Sequence, residues 1–315
     1  MTPMPELFLT RHNDLVDPIL HVWGWEIPVY LFLGGWVAGM MAITGFFLLR
    51  GRQKEDLCVC AVLPGLSLVL LSLGMLALFL DLEHKRYVWR LYTTFEFSSP
   101  MSWGAWILLA VYPALLAALL IRPPAAVQAR LPALRALASR LAEDRAAVRT
   151  IGVVLIVLGV MLGVYTGVLL SALGARPLWN SAMLGILFLV SGLSSAAAFT
   201  HLVARREDER VLLAQSDNVF LGVELFVLAL FLVGLLNSTG VHIQAARLVL
   251  GGPFTAVFWV LVVGLGIVVP LLIQSLAVSH RVAHTPVAPL LVLIGGLALR
   301  FVIVYAGQVS RWTGA

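Results

Sequence analysis

The chain has 315 residues, of which 61% are hydrophobic and 12% charged, and its mean hydropathy is +0.98. Soluble domains carry about 25% charged residues, so this composition excludes a soluble enzyme and describes a polytopic membrane protein whose length counts spans. The net charge of +5 resides between the apolar runs, where membrane insertion accounts for it without a nucleic-acid partner.

Residues 1–21 lack the basic-then-apolar pattern of a cleaved signal peptide and are expected to stay attached as a polar lead-in. A bilayer core takes about 20 apolar residues per helix. Eight stretches qualify: 27–49, 57–80, 103–121, 150–172, 181–203, 218–236, 253–278 and 287–309. Cys58 and Cys60 have a C-x-C spacing that fits neither a zinc nor an iron–sulfur site. They read as space-filling residues at a helix start.

Between the second and third stretches, residues 81–106 crowd Asp81, Glu83, Lys85, Arg86 and Arg90 among Tyr87, Trp89, Tyr92, Trp103 and Trp106. Aromatic rings with a polar handle favour the membrane–water boundary. Charges gathered at that depth suggest a site for a polar group arriving from one side; an ordinary interfacial loop is the plainer alternative. In residues 122–149, Leu131, Leu134, Leu137 and Leu141 recur at helical spacing between arginines, predicting an interfacial helix on anionic lipid.

Eight spans put both termini on one side. That side carries Arg11, Lys85, Arg86, Arg90, Arg176, Arg247 and Arg311, against 13 lysines and arginines on the other. The positive-inside rule then predicts termini outside the cytoplasm. Short matches recur between the halves: Leu31-Phe32-Leu33 with Leu187-Phe188-Leu189, Pro100 and Trp106 with Pro253 and Trp259, Tyr165-Thr166-Gly167 with Tyr305-Ala306-Gly307. The expected fold is all-α, with eight transmembrane helices as two four-helix bundles related by a pseudo-repeat. Residues 1–149 would hold spans one to three and the interfacial helix, 150–180 span four, and 181–315 the second repeat.

Two ionisable residues interrupt the spans. Glu224 must be protonated, paired or hydrated, and Arg300 needs an acid, carbonyls or a polar ligand. Their depths differ by roughly 10 Å at about 1.5 Å per residue, so no direct contact is expected. Near the outer face, His21, Glu26, Asp81 and Tyr165 converge from three spans. That layout suits a head group with two oxygens and a long apolar tail, such as a quinone, whose protons His, Glu or Asp can relay. The seven histidines fall in loops or at span ends, which argues against haem. No metal is expected in this chain, and no phosphate loop or zinc-protease pattern is present.

The runs WGWEIPVYLFLGGWVAG, DLEHKRYVWRLYTTFEFSSPMSWGAW and LGVYTGVLLSALGARPLWNSAMLGILFLVSGLSSAAA resemble the NrfD/PsrC family, membrane subunits of nitrite- and polysulfide-reductase-type complexes. GVELFVLALFLVGL and LRFVIVYAGQ extend the resemblance through the last spans. It implies a quinone- or menaquinone-binding anchor in the bacterial inner membrane. Its partners would be a periplasm-facing ferredoxin-like iron–sulfur subunit and a catalytic reductase or dehydrogenase subunit. Tyr165 fits the family's quinone-binding tyrosine. Aligning on Trp23 and Trp25 puts Gly24 where the family has a histidine and Leu20 where it has an asparagine, leaving His21 or Glu26 as replacements. Asp81 and Arg86 fall in the family's polar segment, and Glu224 and Arg300 match charges suited to a proton path. No residue of this chain is expected to act on the terminal substrate. A proton-coupled transporter is the alternative reading, compatible with the repeat and the buried charges; a purely structural anchor would leave those charges unexplained.

Overall fold

The computed structural model describes residues 23–55, 57–278 and 285–311, and among them every regular element is helical. Eight helices are long and apolar enough to cross a bilayer: Glu26–Leu49, Leu63–Asp81, Pro100–Ile121, Arg145–Ser171, Met183–Val203, Glu207–Leu236, Val257–Val278 and Val287–Val309, called spans one to eight. The chain is a multi-pass membrane protein. At about 1.5 Å per residue, even the 19-residue second span reaches close to the roughly 30 Å of a hydrocarbon core.

Most boundaries fall within a few residues of the apolar runs, and the departures have local causes. Span two starts at Leu63, not 57, because Val59–Ala61 forms a 3-10 turn and Pro64 pre-sets the first helical turn. Cys58 caps that turn and Cys60 lies within it, both buried and joined by a disulfide that their spacing did not announce. Span four starts at Arg145, where the Asp144 carboxylate accepts the backbone N–H groups of Ala146 and Ala147 at 2.9 and 3.2 Å. Span six starts at Glu207, eleven residues before the apolar run, with Glu207, Asp208 and Glu209 at its positive end. Within span seven, Val257–Val268 is wound as a π-helix.

Spans one and five are the most enclosed. Span one packs on spans two, four, five and eight; span five packs on spans one, four, six and eight. Small residues let these backbones touch: a Cβ at Gly39 or Gly192 would strike the facing backbone, and Gly266 meets Gly295 in the same way. Spans two, six and seven turn more of their surface outward, as lipid-facing helices do.

Two polar knots fasten the ends. On the face that carries the termini, the backbone of Trp23 exchanges hydrogen bonds of 3.1 and 3.0 Å with the Gln308 side chain. The Trp23 ring stacks on Trp179, whose indole N–H donates to the Ile303 carbonyl at 2.8 Å. The buried Arg176 donates to the Ser310 carbonyl at 2.9 Å. On the opposite face, Arg52 pairs with Glu55 and Asp208, and Arg206 with Glu55 and Asp208. Glu209 accepts the Val59 N–H, tying the loop before span two to span six. The sequence missed a further helix, Gly240–Leu250, packed on spans six and eight at the terminal face. Pro132–Glu143 forms the expected amphipathic helix, with Leu131 and Leu137 exposed beside its arginines.

Candidate functional site

The terminal face holds a pair of phenols. Tyr30, one turn into span one, is 3% exposed, and Tyr165, near the end of span four, is 5% exposed. The two phenols are close neighbours that interact electrostatically. Gly104 of span three makes the room, since a Cβ there would overlap the Tyr165 ring. Gly74 of span two faces Leu33 and the Tyr30 ring at ordinary contact distance, with a Cβ position 3.9 Å from the ring edge. Tyr92, on the short helix Arg90–Thr93, interacts with Tyr30 and with Tyr112. Burial pushes the Tyr92 phenol above its ordinary range. Beside Tyr92 an apolar groove of about 350 Å³ runs along span two, lined by Met75, Leu78, Phe79 and Leu91.

The sequence-derived candidates divide around this pair. Tyr165 is at its centre. Glu26 and Asp81 are half-buried at the terminal ends of spans one and two and interact with each other electrostatically. Arg86 sits exposed on the 3-10 turn Lys85–Tyr87. His21 lies outside the described residues. Tyr30 and Tyr92 were not anticipated. Tyr30 read as one more aromatic in an apolar run, and only its position opposite Tyr165 distinguishes it.

A second line of polar groups threads spans five to eight. The Arg300 guanidinium donates to Ser191 Oγ and to the Phe188 carbonyl, both at 3.0 Å, and lies 4.1 Å from the Phe188 ring centre. Glu224 lies near Ser191 and interacts electrostatically with Arg300. Among the described residues no ion pair joins Glu224 directly to Arg300, as their difference in depth led us to expect, although the two lie near enough to interact electrostatically. Further along span six, Asp217 accepts from Ser194 Oγ at 2.7 Å and from Gln274 Nε2 at 2.6 Å. Asp217 escaped the sequence reading because it lies just before the apolar run. Its spacing of seven from Glu224, which sets both on one face of span six, was the available signal.

The two regions approach each other through span one. A Cβ at Gly35 would lie 3.2 Å from Arg300 Nη2, and one at Gly34 would lie 3.4 Å from Thr166, the neighbour of Tyr165. Glu209, Asp217, Glu224, Ser191 and Arg300 therefore mark a line of polar groups from the opposite face toward the phenols.

The chain matches the family described as Polysulphide reductase, NrfD, over residues 10–310. It is 33% identical over 306 residues to Protein NrfD of Escherichia coli (strain K12), covering 92% of this chain and 96% of that protein. It is 32% identical over 305 residues to a polysulfide reductase chain of Wolinella succinogenes, covering 91% and 94%. A shorter match, 28% over 154 residues, joins it to a selenate reductase subunit of Mesobacillus selenatarsenatis, covering 46% and 36%. With a match over nearly its whole length, the chain belongs to the NrfD polysulphide reductase family.

Proposed function

We propose that this chain is the quinone-reactive membrane subunit of a multi-subunit oxidoreductase in the bacterial inner membrane, with its termini in the periplasm. The names of its relatives, a polysulfide reductase chain and a selenate reductase subunit, support membership of a reductase complex. The observation that carries the quinone reading is the buried Tyr30–Tyr165 pair, with Tyr92 interacting with Tyr30 and lining an apolar groove along span two. Neutral phenols donate to quinone oxygens and accept from quinol hydroxyls, and the groove suits an apolar tail. Menaquinol is one quinol of this shape.

Oxidation of a quinol releases two electrons and two protons. The electrons pass to a ferredoxin-like iron–sulfur subunit docked on the terminal face, where Tyr87, Trp89, Phe95 and Phe97 are exposed. The protons leave by way of Asp81 and Glu26 at the terminal ends of spans one and two, with Arg86 exposed nearby in sequence and His21 proposed for the same task from the sequence alone. In quinone reduction the same groups work in reverse. Glu224 and Arg300, extended by Asp217, form the proton path to the cytoplasmic face. A catalytic reductase or dehydrogenase subunit handles the terminal substrate.

The test is Tyr165→Phe in the assembled complex. Loss of one hydrogen bond to the head group, worth about 1–1.5 kcal/mol, lowers quinol-dependent turnover by roughly tenfold at limiting quinol. The iron–sulfur partner should still co-purify. Unchanged turnover at limiting and saturating quinol would remove Tyr165 from the site.

A further inference from the structure

A cleft of about 540 Å³ opens on the face opposite the termini, away from both polar regions described above. Its origin is the way spans one and four meet. Their backbones touch where a Cβ at Gly45 would strike the Gly152 carbonyl, and Leu49 packs on Gly152. Just beyond, span one ends, the backbone turns at Gly51 with φ +74°, and span four has only begun at Arg145. The two helices part at the level where the membrane ends.

Three cations line the opening. Lys54 follows the turn, while Arg145 and Arg149 sit four residues apart on one face of span four. Among the described residues no carboxylate lines the cleft. Among those residues, too, none of the three cations has an acidic partner, because nearby Glu55 pairs with Arg52 and Arg206 and Asp144 caps span four. Gln53, 8% exposed, lines the same cleft, and its Oε1 has no hydrogen-bond partner. A buried acceptor left unsatisfied is costly, so it points to a donor that arrives with a ligand. The remaining wall is apolar, from Leu48, Leu49 and Val148.

Uncompensated positive charge, an apolar wall and a hydroxyl acceptor at membrane-boundary depth describe a lipid headgroup site. We propose that this cleft binds an anionic phospholipid whose headgroup carries free hydroxyls, with its phosphate on Lys54, Arg145 and Arg149 and a hydroxyl donating to Gln53 Oε1. The apolar wall favours a lipid over free phosphate, which would gain nothing from Leu48 or Val148. The adjoining Pro132–Glu143 helix, with exposed Leu131 and Leu137 among arginines, keeps this face on the bilayer surface. The inference stands apart from the quinone reading.

The full-length protein, purified in mild detergent, is analysed for retained lipid by native mass spectrometry and melted with added phosphatidylglycerol, phosphatidylcholine, phosphatidic acid or inorganic phosphate. Phosphatidylglycerol should be retained and should raise the melting midpoint most. R145Q/R149Q should weaken its binding about tenfold, with the milder K54Q giving a smaller loss if the double variant folds poorly. Q53L should erase the preference for phosphatidylglycerol over phosphatidic acid. Equal stabilisation by phosphatidylcholine or by inorganic phosphate, or full lipid retention in the charge variants, would overturn the proposal.

Discussion

The phenol pair at the terminal face and the acid–serine–arginine line of spans five to eight are both buried, yet the first is built from neutral phenols and neighbours Tyr92 on an apolar groove, while the second is built from ionisable groups. Tyr165 packs against Gly104, and Tyr30 faces Gly74. Arg300 is instead held by Ser191 and Phe188, and Asp217 by Ser194 and Gln274, from neighbouring spans, with Glu224 interacting electrostatically with Arg300. Neutral donors next to a groove-lining phenol suit a ligand that comes and goes. Ionisable groups held by fixed partners suit protons or the stability of the bundle, since a proton needs no cavity. Placement of the two regions on different helices lets each be altered without the other.

The largest effect should come from Arg300→Leu. Removing one member of a buried charged cluster costs about 3–5 kcal/mol, and thermal melting of the detergent-purified protein should show it, whereas Tyr165→Phe should leave the melt nearly unchanged. If both variants melted alike, the two regions would not be energetically distinct. Next is Gly104→Ala, whose methyl displaces the Tyr165 ring. We expect KM for quinol to rise about tenfold with assembly intact; an unchanged KM would mean that the phenol position is irrelevant to binding.

Asp217→Asn and Glu224→Gln should each reduce proton uptake several-fold while KM for quinol stays within about twofold. Proton coupling equal to that of the unsubstituted protein in both variants would assign the buried acids to structure alone. Arg86→Gln, on an exposed turn, should change turnover by less than about twofold, as rim charges do. A larger loss would move Arg86 into the site.

The eight spans were legible because apolar runs of bilayer length are the strongest signal a sequence offers. The early start of span six was not, since residues 207–217 are polar and a hydropathy window ends where the bilayer does. Tyr165 was legible from its place near the outer end of span four, and the resemblance added a quinone-binding role, but its neighbour Tyr30 needed the packing of spans one, two and four. The Arg300–Ser191 hydrogen bond lay beyond reach for a related reason: rise per residue fixes depth, while lateral neighbours and side-chain reach depend on the bundle. Asp217 could have been found from its seven-residue spacing to Glu224. The lipid cleft joins Gln53 and Lys54 to Arg145 and Arg149 across about ninety residues of sequence, a proximity created only by the Gly45–Gly152 crossing.

Whether quinone reacts at the phenol pair can be asked directly with a photoreactive azidoquinone applied to the intact complex, followed by mapping of the labelled peptides. Label should fall on peptides containing Tyr30, Tyr92 or Tyr165 and be displaced by excess quinone. Label confined to spans five to eight, or label that excess quinone does not displace, would contradict a quinone site at the terminal face of the first four spans.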